Sequence, residues 1–207
     1  MVFTPNPLDT SKTVFRVLAF DPAISAMGII VGDYHVDSRE FRIIYTETYY
    51  GPKQLKICKE MRKEFKDSFC ILSVMKDYLT NTLIPQWHPD YIVTEGAFYH
   101  KFVATLISLT LVNNVIRTSA RDTIGRDIYV VAPMKTKKSV ASKGDAKKDA
   151  IKEAITHHPM IKDCREGCEE FPWDGLTEHE FDAVGHGFSF CAMTWMPDLY
   201  VTKKTKK

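Results

Sequence analysis

The first apolar run of the chain, Val14-Phe15-Arg16-Val17-Leu18-Ala19-Phe20, has the β-rich character of a strand and stops at Asp21-Pro22. A strand this apolar predicts a central place in a sheet covered on both faces, with Asp21 at its end. After a small, turn-like segment from Ala23 to Met27, Gly28-Ile29-Ile30-Val31-Gly32 resumes a strand. Phe41-Arg42-Ile43-Ile44-Tyr45 makes a third, and Asp37-Ser38-Arg39-Glu40 between them has turn composition. These three strands predict an antiparallel meander.

Beyond Gly51-Pro52 the period changes. Apolar residues recur at Leu55, Cys58, Met61, Phe65, Phe69, Leu72, Met75 and Leu79, with charged residues between. This spacing predicts one long amphipathic helix over 53–80, or two joined near Asp67-Ser68, with the Met and aromatic stripe in the core. Pro85 to Pro89 reads as a connection. Asp90-Tyr91-Ile92-Val93-Thr94 is a short strand that delivers Glu95. A helix follows over 101–119, with one stripe of Phe102, Leu106, Leu109, Val112 and Ile116 and further apolar residues at Ile107, Leu111 and Val115. A helix apolar on two sides is either buried or half of a subunit interface. Asp127 to Pro133 supplies a fifth strand, then a Lys-rich segment, then a helix over 146–157 that Asp145 can cap. Cys164, Cys168 and Pro172 fall in a loop before the last helix. The order of strands and helices predicts an α/β domain of the ribonuclease H-like type, a mixed five-stranded sheet flanked by helices.

The last helix begins near Thr177. Helical spacing sets His179, Asp182 and His186 on one side, flanked by Glu178 and Glu180, and sets Phe181, Val184 and Phe188 on the other. Such a helix can bury one face and offer His and Asp ligands from the other. It can equally be a solvated helix start with a satisfied histidine.

Composition narrows the reading without deciding it. The chain has 207 residues, 44% hydrophobic and 26% charged, which suits one globular domain. No apolar run approaches the ~18 residues of a membrane span, and the polar start from Met1 to Lys12 lacks the apolar core of a secretion signal. Five scattered cysteines favour a reducing compartment, so a cytoplasmic protein is expected. A net charge of +2 identifies no partner. Local clusters say more: Lys135, Lys137, Lys138, Lys143, Lys147 and Lys148 lie close in sequence, and the chain ends Lys203-Lys204-Thr205-Lys206-Lys207. Such patches bind polyanions without a high global charge; the alternative is a solvated Lys-rich loop.

The chemistry rests on Asp21, Glu95 and Asp182 with His179. Two of these acids end buried strands that would be neighbours, where an unpaired carboxylate is costly. Converging acids repel unless cations lie between them, and oxygen ligands suit a pair of Mg²⁺ ions. Ions about 3.5–4 Å apart activate water and stabilise the departing oxygen in phosphodiester hydrolysis. His179 can ligate, position water or move a proton. Phe98 and Tyr99 can be wedges or stacking platforms, or pack beneath the next helix; of the two, Phe98 is the better candidate for a base contact. His157, His158, Cys164 and Cys168 are poorly spaced for zinc.

In order along the chain stand Leu18-Ala19-Phe20-Asp21-Pro22 with Gly28, then Val93-Thr94-Glu95 with Phe98, then Ala132-Pro133 with Lys135 to Lys148, then His179-Glu180-Phe181-Asp182-Ala183. Over about Val14 to Thr194 this resembles the RuvC family of Holliday junction resolvases. The resemblance implies a ribonuclease H-like fold, a homodimer, and Mg²⁺-dependent symmetric nicking of four-way DNA junctions, with Mn²⁺ able to substitute. It implies a metal site of Asp21, Glu95, His179 and Asp182; His179 stands where family members carry either Asp or His. It implies that Phe98 stacks on a junction base and that the lysines after Pro133 contact phosphate. The expected organisation is an extension at 1–13, the nuclease domain at 14–196 and a basic tail at 197–207, with dimerisation through the 101–119 helix. The 53–80 helix, the loop around Cys164 and Cys168, and the tail exceed a minimal bacterial member, as in a divergent phage or viral branch working in host cytoplasm. A ribonuclease H-like nuclease on hybrids or flaps, and a non-catalytic junction-binding protein, remain as alternatives. An ATP-binding relative of the same broad fold lacks the Gly-rich phosphate loops it would need.

Overall fold

The computed structural model describes residues 11–96, 103–141, 147–170 and 172–197. Phe98, Tyr99, Lys143, Asp145 and nearly all of the basic tail lie outside them.

Three strands form the predicted meander: β1 (Val14–Asp21), β2 (Ala26–His35) and β3 (Glu40–Tyr50). β1 pairs antiparallel with β2, setting Asp21 opposite Gly28, and β2 pairs antiparallel with β3. A short helix α1 (Gly51–Gln54), with Pro52 in its first turn, begins the next segment. The predicted helix over 53–80 is not continuous. An irregular stretch with one helical turn at Met61–Lys63 precedes α2 (Asp67–Tyr78). Of Leu55, Cys58, Met61 and Phe65 only Cys58 is buried. A helix there would bury too little apolar surface to offset the cost of ordering it. α2 continues through a π-helical stretch at Leu79–Leu83 into α3 (Ile84–Trp87), so the expected connection at Pro85 is partly helical.

β4 (Tyr91–Glu95) lies parallel to β1, with Phe20 beside Thr94. One further step in that register brings Asp21 alongside Glu95. α4 runs from Val103 to Ile124, longer than the predicted 101–119. β5 (Tyr129–Val131) adds parallel to β4. Pro133 then opens α5 (Pro133–Ala141), so the first part of the Lys-rich segment is helical. α6 (Lys148–Thr156) follows.

The sheet has six strands in the order β5-β4-β1-β2-β3-β6, one more than predicted. The extra strand, β6 (Ile161–Asp163), pairs parallel with β3 at the edge. Three residues carry no readable period, which is why the sequence reads as loop there. α7 (Glu178–Trp195) closes the fold.

β1 divides the core by its alternation. Val17 and Ala19 face a cluster with Phe181, Val184 and Phe188 of α7 and Val140 of α5. Leu18 and Phe20 face a second cluster with Met75 of α2 and Val112 and Ile116 of α4. The four β1 residues are fully buried, as the apolar run predicts. From Glu180 to Ala192 every residue of α7 except Asp182 is buried, so this helix has no broad solvated face. Among the described residues no helix is long and apolar enough to cross a membrane.

Candidate metal centre

Three elements converge at one edge of the sheet. β1 ends in Asp21, β4 ends in Glu95, and the first turns of α7 bring His179 and Asp182. The start of α7 is fixed by its own sequence. Thr177 is the N-cap, its hydroxyl accepting from the Glu180 N–H at 3.3 Å, while the Glu180 carboxylate accepts from the Thr177 N–H at 2.7 Å. This reciprocal capping box satisfies two otherwise unpaired donors. The Thr177 hydroxyl also lies 2.6 Å from that of Thr48 on β3, which ties the helix start to the sheet.

Gly28 allows the helix to descend this far. A Cβ at Gly28 would lie 2.0 Å from the His179 carbonyl oxygen, so any side chain would push α7 off the end of β1. With the backbone this close, His179 Nδ1 lies 2.8 Å from Asp21 Oδ2. That hydrogen bond raises the His179 pKa above its ordinary value.

Glu95 is held from behind. The Asn113 side chain on α4 accepts from the Thr94 hydroxyl at 2.7 Å and donates to the Glu95 carbonyl at 2.9 Å. Burial, then the charges of Asp21 and Asp182, push the Glu95 carboxyl up to about 7. Burial and Asp21 likewise push Asp182 up to about 6. These are acids whose mutual repulsion their neighbours do not fully relieve. Lys148 approaches them, 3.1 Å from Glu178 and 3.9 Å from Asp182. Burial works against the Lys148 charge, but Glu178, Asp182 and Asp21 outweigh it and its pKa rises. Lys137 on α5 also lowers the Glu95 pKa.

A further member is His186, one turn beyond Asp182. Its ring is buried, with Nδ1 3.0 Å from the Thr136 hydroxyl on α5. One ligand atom from each of Asp21, Glu95 and His186 lies within 4.8 Å of the others. Burial lowers the His186 pKa to about 4, against the pull of Asp21. Clustered carboxylate oxygens with raised pKa values fit a hard divalent cation, and the imidazoles widen the choice of ion.

The structure thus brings Asp21, Glu95, His179 and Asp182 to one place, with Lys137 and Lys148 beside them. Lys135, Lys138 and Lys147 occupy exposed positions on and between α5 and α6. Sequence reasoning placed His186 on the ligand face of the helix but did not include it in the site. It gave no role to Asn113 or Thr136. A polar residue inside an apolar helix was the available signal for Asn113.

Comparison with known proteins bears on the fold that carries this arrangement. The chain is 26% identical over 152 residues to the crossover junction endodeoxyribonuclease RuvC of Prochlorococcus marinus, covering 70% of this chain and 84% of that protein. The RuvC of T. thermophilus, solved in complex with a Holliday junction substrate, superposes with a TM-score of 0.67 at 16% identity, over 88% of this chain and 96% of that one. The chain is RuvC-like, and divergent. The yeast mitochondrial Holliday junction resolvase Ydc2 has the same fold, with a TM-score of 0.60 at 16% identity over 90% of this chain and 80% of its own. No family model matches the sequence. The sheet and its flanking helices are those of the RuvC form of the ribonuclease H-like fold, with the strand count differing slightly from the five expected.

Proposed function

We propose that the chain is a divalent-metal-dependent, structure-selective DNA endonuclease that resolves Holliday junctions and other branched DNA by paired symmetric nicks. One observation carries the reading: on a RuvC-like fold, Asp21, Glu95 and Asp182, far apart in sequence, meet at one sheet edge with carboxyl pKa values of about 7 for Glu95 and about 6 for Asp182. Asp21, Glu95 and Asp182 would hold two Mg²⁺ ions, for which Mn²⁺ would substitute. Bound cations of this kind supply an activated water and charge stabilisation for the departing oxygen. His179 ligates or moves a proton. With Nδ1 turned to Asp21, Nε2 is the nitrogen that does so.

Lys135, Lys137, Lys138, Lys147 and Lys148, with Lys143 between them in sequence, contact DNA phosphates. Phe98 and Tyr99 follow Glu95 closely in sequence and meet bases at the junction. Symmetric nicks need two sites, and α4 supplies a dimer face: Val103 is 58%, Ile107 54% and Leu111 42% exposed, at successive turns of one side. We place the enzyme in the cytoplasm, or the host cytoplasm for a viral chain, on its scattered cysteines.

The test is cleavage of a synthetic four-way junction with Mg²⁺, with linear duplex and an RNA–DNA hybrid as controls. The junction is cut and the linear duplex is not. Asp21→Asn keeps junction binding and loses cleavage. Normal cutting by that variant overturns the site; preferential cutting of the hybrid moves the substrate to the ribonuclease H class. Binding without incision in any metal leaves a junction-binding protein.

A further inference from the structure

We propose that His186 is an additional cation ligand on the buried side of the carboxylate cluster, held in that role by Thr136. This rests on reading Asp21, Glu95 and Asp182 as a divalent-metal site and names a residue beyond that set.

His186 follows Asp182 by four residues on α7, so both project from the same side of the helix. Asp182 stands near the mouth of the site, whereas His186 is only 4% exposed. An imidazole buried to this extent is costly unless its polar nitrogens have partners. Nδ1 has one, the Thr136 hydroxyl at 3.0 Å. Nε2 is then the nitrogen left to serve the acidic site, and a His186 ligand atom lies within 4.8 Å of oxygens from both Asp21 and Glu95. An imidazole bound to metal through one nitrogen characteristically has the other fixed by a hydrogen bond, which sets tautomer and ring direction. Nε2 ligation requires the proton on Nδ1, which donates to the Thr136 oxygen.

The neighbouring residue makes room for this pair. A Cβ at Gly185 would lie 2.9 Å from Thr136 Cγ2, so glycine at this position lets α5 approach α7 closely enough for the Thr136–His186 bond. Thr136 is itself buried, so it has no solvent role in competition.

A nitrogen ligand changes which ion the site favours. Oxygen-only sets suit both Mg²⁺ and Mn²⁺, whereas an imidazole is a poorer match for the hard Mg²⁺ than for a first-row transition ion, of which Mn²⁺ is the weakest binder. The site is therefore expected to select Mn²⁺ over Mg²⁺ more strongly than its carboxylates alone would.

The experiment uses the full chain stripped of metal and titrated calorimetrically with Mn²⁺ alone and Mg²⁺ alone, with spin-echo detection of ¹⁴N coupling to bound Mn²⁺. His186→Leu and His186→Gln are compared with wild type, Thr136→Val, His179→Gln and Asp21→Asn, each checked for a cooperative thermal melt. Both His186 variants are expected to lose Mn²⁺ affinity about tenfold or more, to lose much less for Mg²⁺, and to lose the ¹⁴N coupling contributed by the buried imidazole, a contribution that persists in His179→Gln. Thr136→Val should fall between. Unchanged Mn²⁺ affinity and coupling in a folded His186→Gln, while Asp21→Asn loses binding, overturns the His186 assignment alone. Equal losses for the two ions overturn it in favour of a positioning role. Wild-type binding of both ions by Asp21→Asn overturns the underlying metal reading instead.

Discussion

His179 Nδ1 lies 2.8 Å from Asp21 Oδ2, between residues 158 positions apart in the chain. The bond joins the end of the first strand to the first turn of the last helix. It exists because Gly28, paired with Asp21 across the sheet, leaves space for the helix backbone. The site is therefore assembled only when the whole domain closes, and its charges report on that closure.

The first prediction concerns pH. Glu95 is raised from 4.5 to about 7 and Asp182 from 3.8 to about 6. Through these two groups the folded, metal-free protein retains protons that the unfolded chain releases, so their contribution to stability falls as pH rises from about 4 to about 7. His186, lowered by burial to about 4, acts in the opposite sense up to its ordinary value and offsets part of the fall. His179 acts in the same direction as the two acids. Its pKa is raised by Asp21, so its contribution is present below its ordinary value and is lost as pH rises through the raised one. A tenfold difference in proton affinity between folded and unfolded chains corresponds to about 1.4 kcal/mol, and the coupled groups share that effect rather than adding. Thermal melts in chelator should give a lower Tm at pH 8 than at pH 5, with Mg²⁺ or Mn²⁺ restoring it at pH 8. Glu95→Gln should flatten the profile; an unaltered slope in that variant would refute the assigned cause.

Asn113 secures the strand that delivers Glu95. Asn113→Ala leaves the buried Thr94 hydroxyl and the Glu95 carbonyl without this partner. A cost of about 1–3 kcal/mol is expected from urea unfolding. Cleavage should fall further than stability alone explains, because the carboxylate loses its fixed position. Asn113→Asp, which keeps the acceptor for Thr94 but not the donor, separates the two hydrogen bonds. Wild-type stability and cleavage for the alanine variant would remove Asn113 from the site's support.

Lys137 and Lys148 stand nearest the acids and are expected to meet DNA phosphate. Each phosphate contact contributes a slope of about −0.9 to the dependence of log K on log salt. Junction binding by Lys137→Ala/Lys148→Ala should weaken and show a slope shallower by about 2. Equal slopes for wild type and variant, measured by anisotropy over a salt series, would mean that these lysines serve only to balance Glu178 and the site carboxylates.

The exposed row Val103, Ile107 and Leu111 on α4 predicts an interface. Ile107→Glu should sediment as a monomer while the wild type sediments as a dimer, and paired nicking should become single nicking. If wild type and variant sediment alike, the pairing surface lies elsewhere.

The fold was legible where burial writes a period into the chain. The apolar run from Val14 to Phe20 marked a central strand, the turn residues at 37–40 marked the meander, and Asp21 and Glu95 stood out as acids ending apolar strands. It was not legible where local pattern and burial part. The apolar spacing from Leu55 to Phe65 looks helical, yet Leu55 is only half-buried against the core, Met61 and Phe65 belong to neither core cluster, and of the four only Cys58 is buried. Ile161–Asp163 forms an edge strand too short to carry a period.

By itself the sequence determined which residue types the site has available and which elements carry them, because strand and helix periods depend only on neighbours in the chain. The tertiary structure alone decided that the acids share one edge, that Gly28 admits the His179 backbone, that Asn113 fixes Glu95, and that His186 turns inward to Thr136 and the carboxylates. Those relations depend on how closely layers pack. That closeness is set by missing Cβ atoms and buried hydrogen bonds between residues distant in sequence, which no local period records.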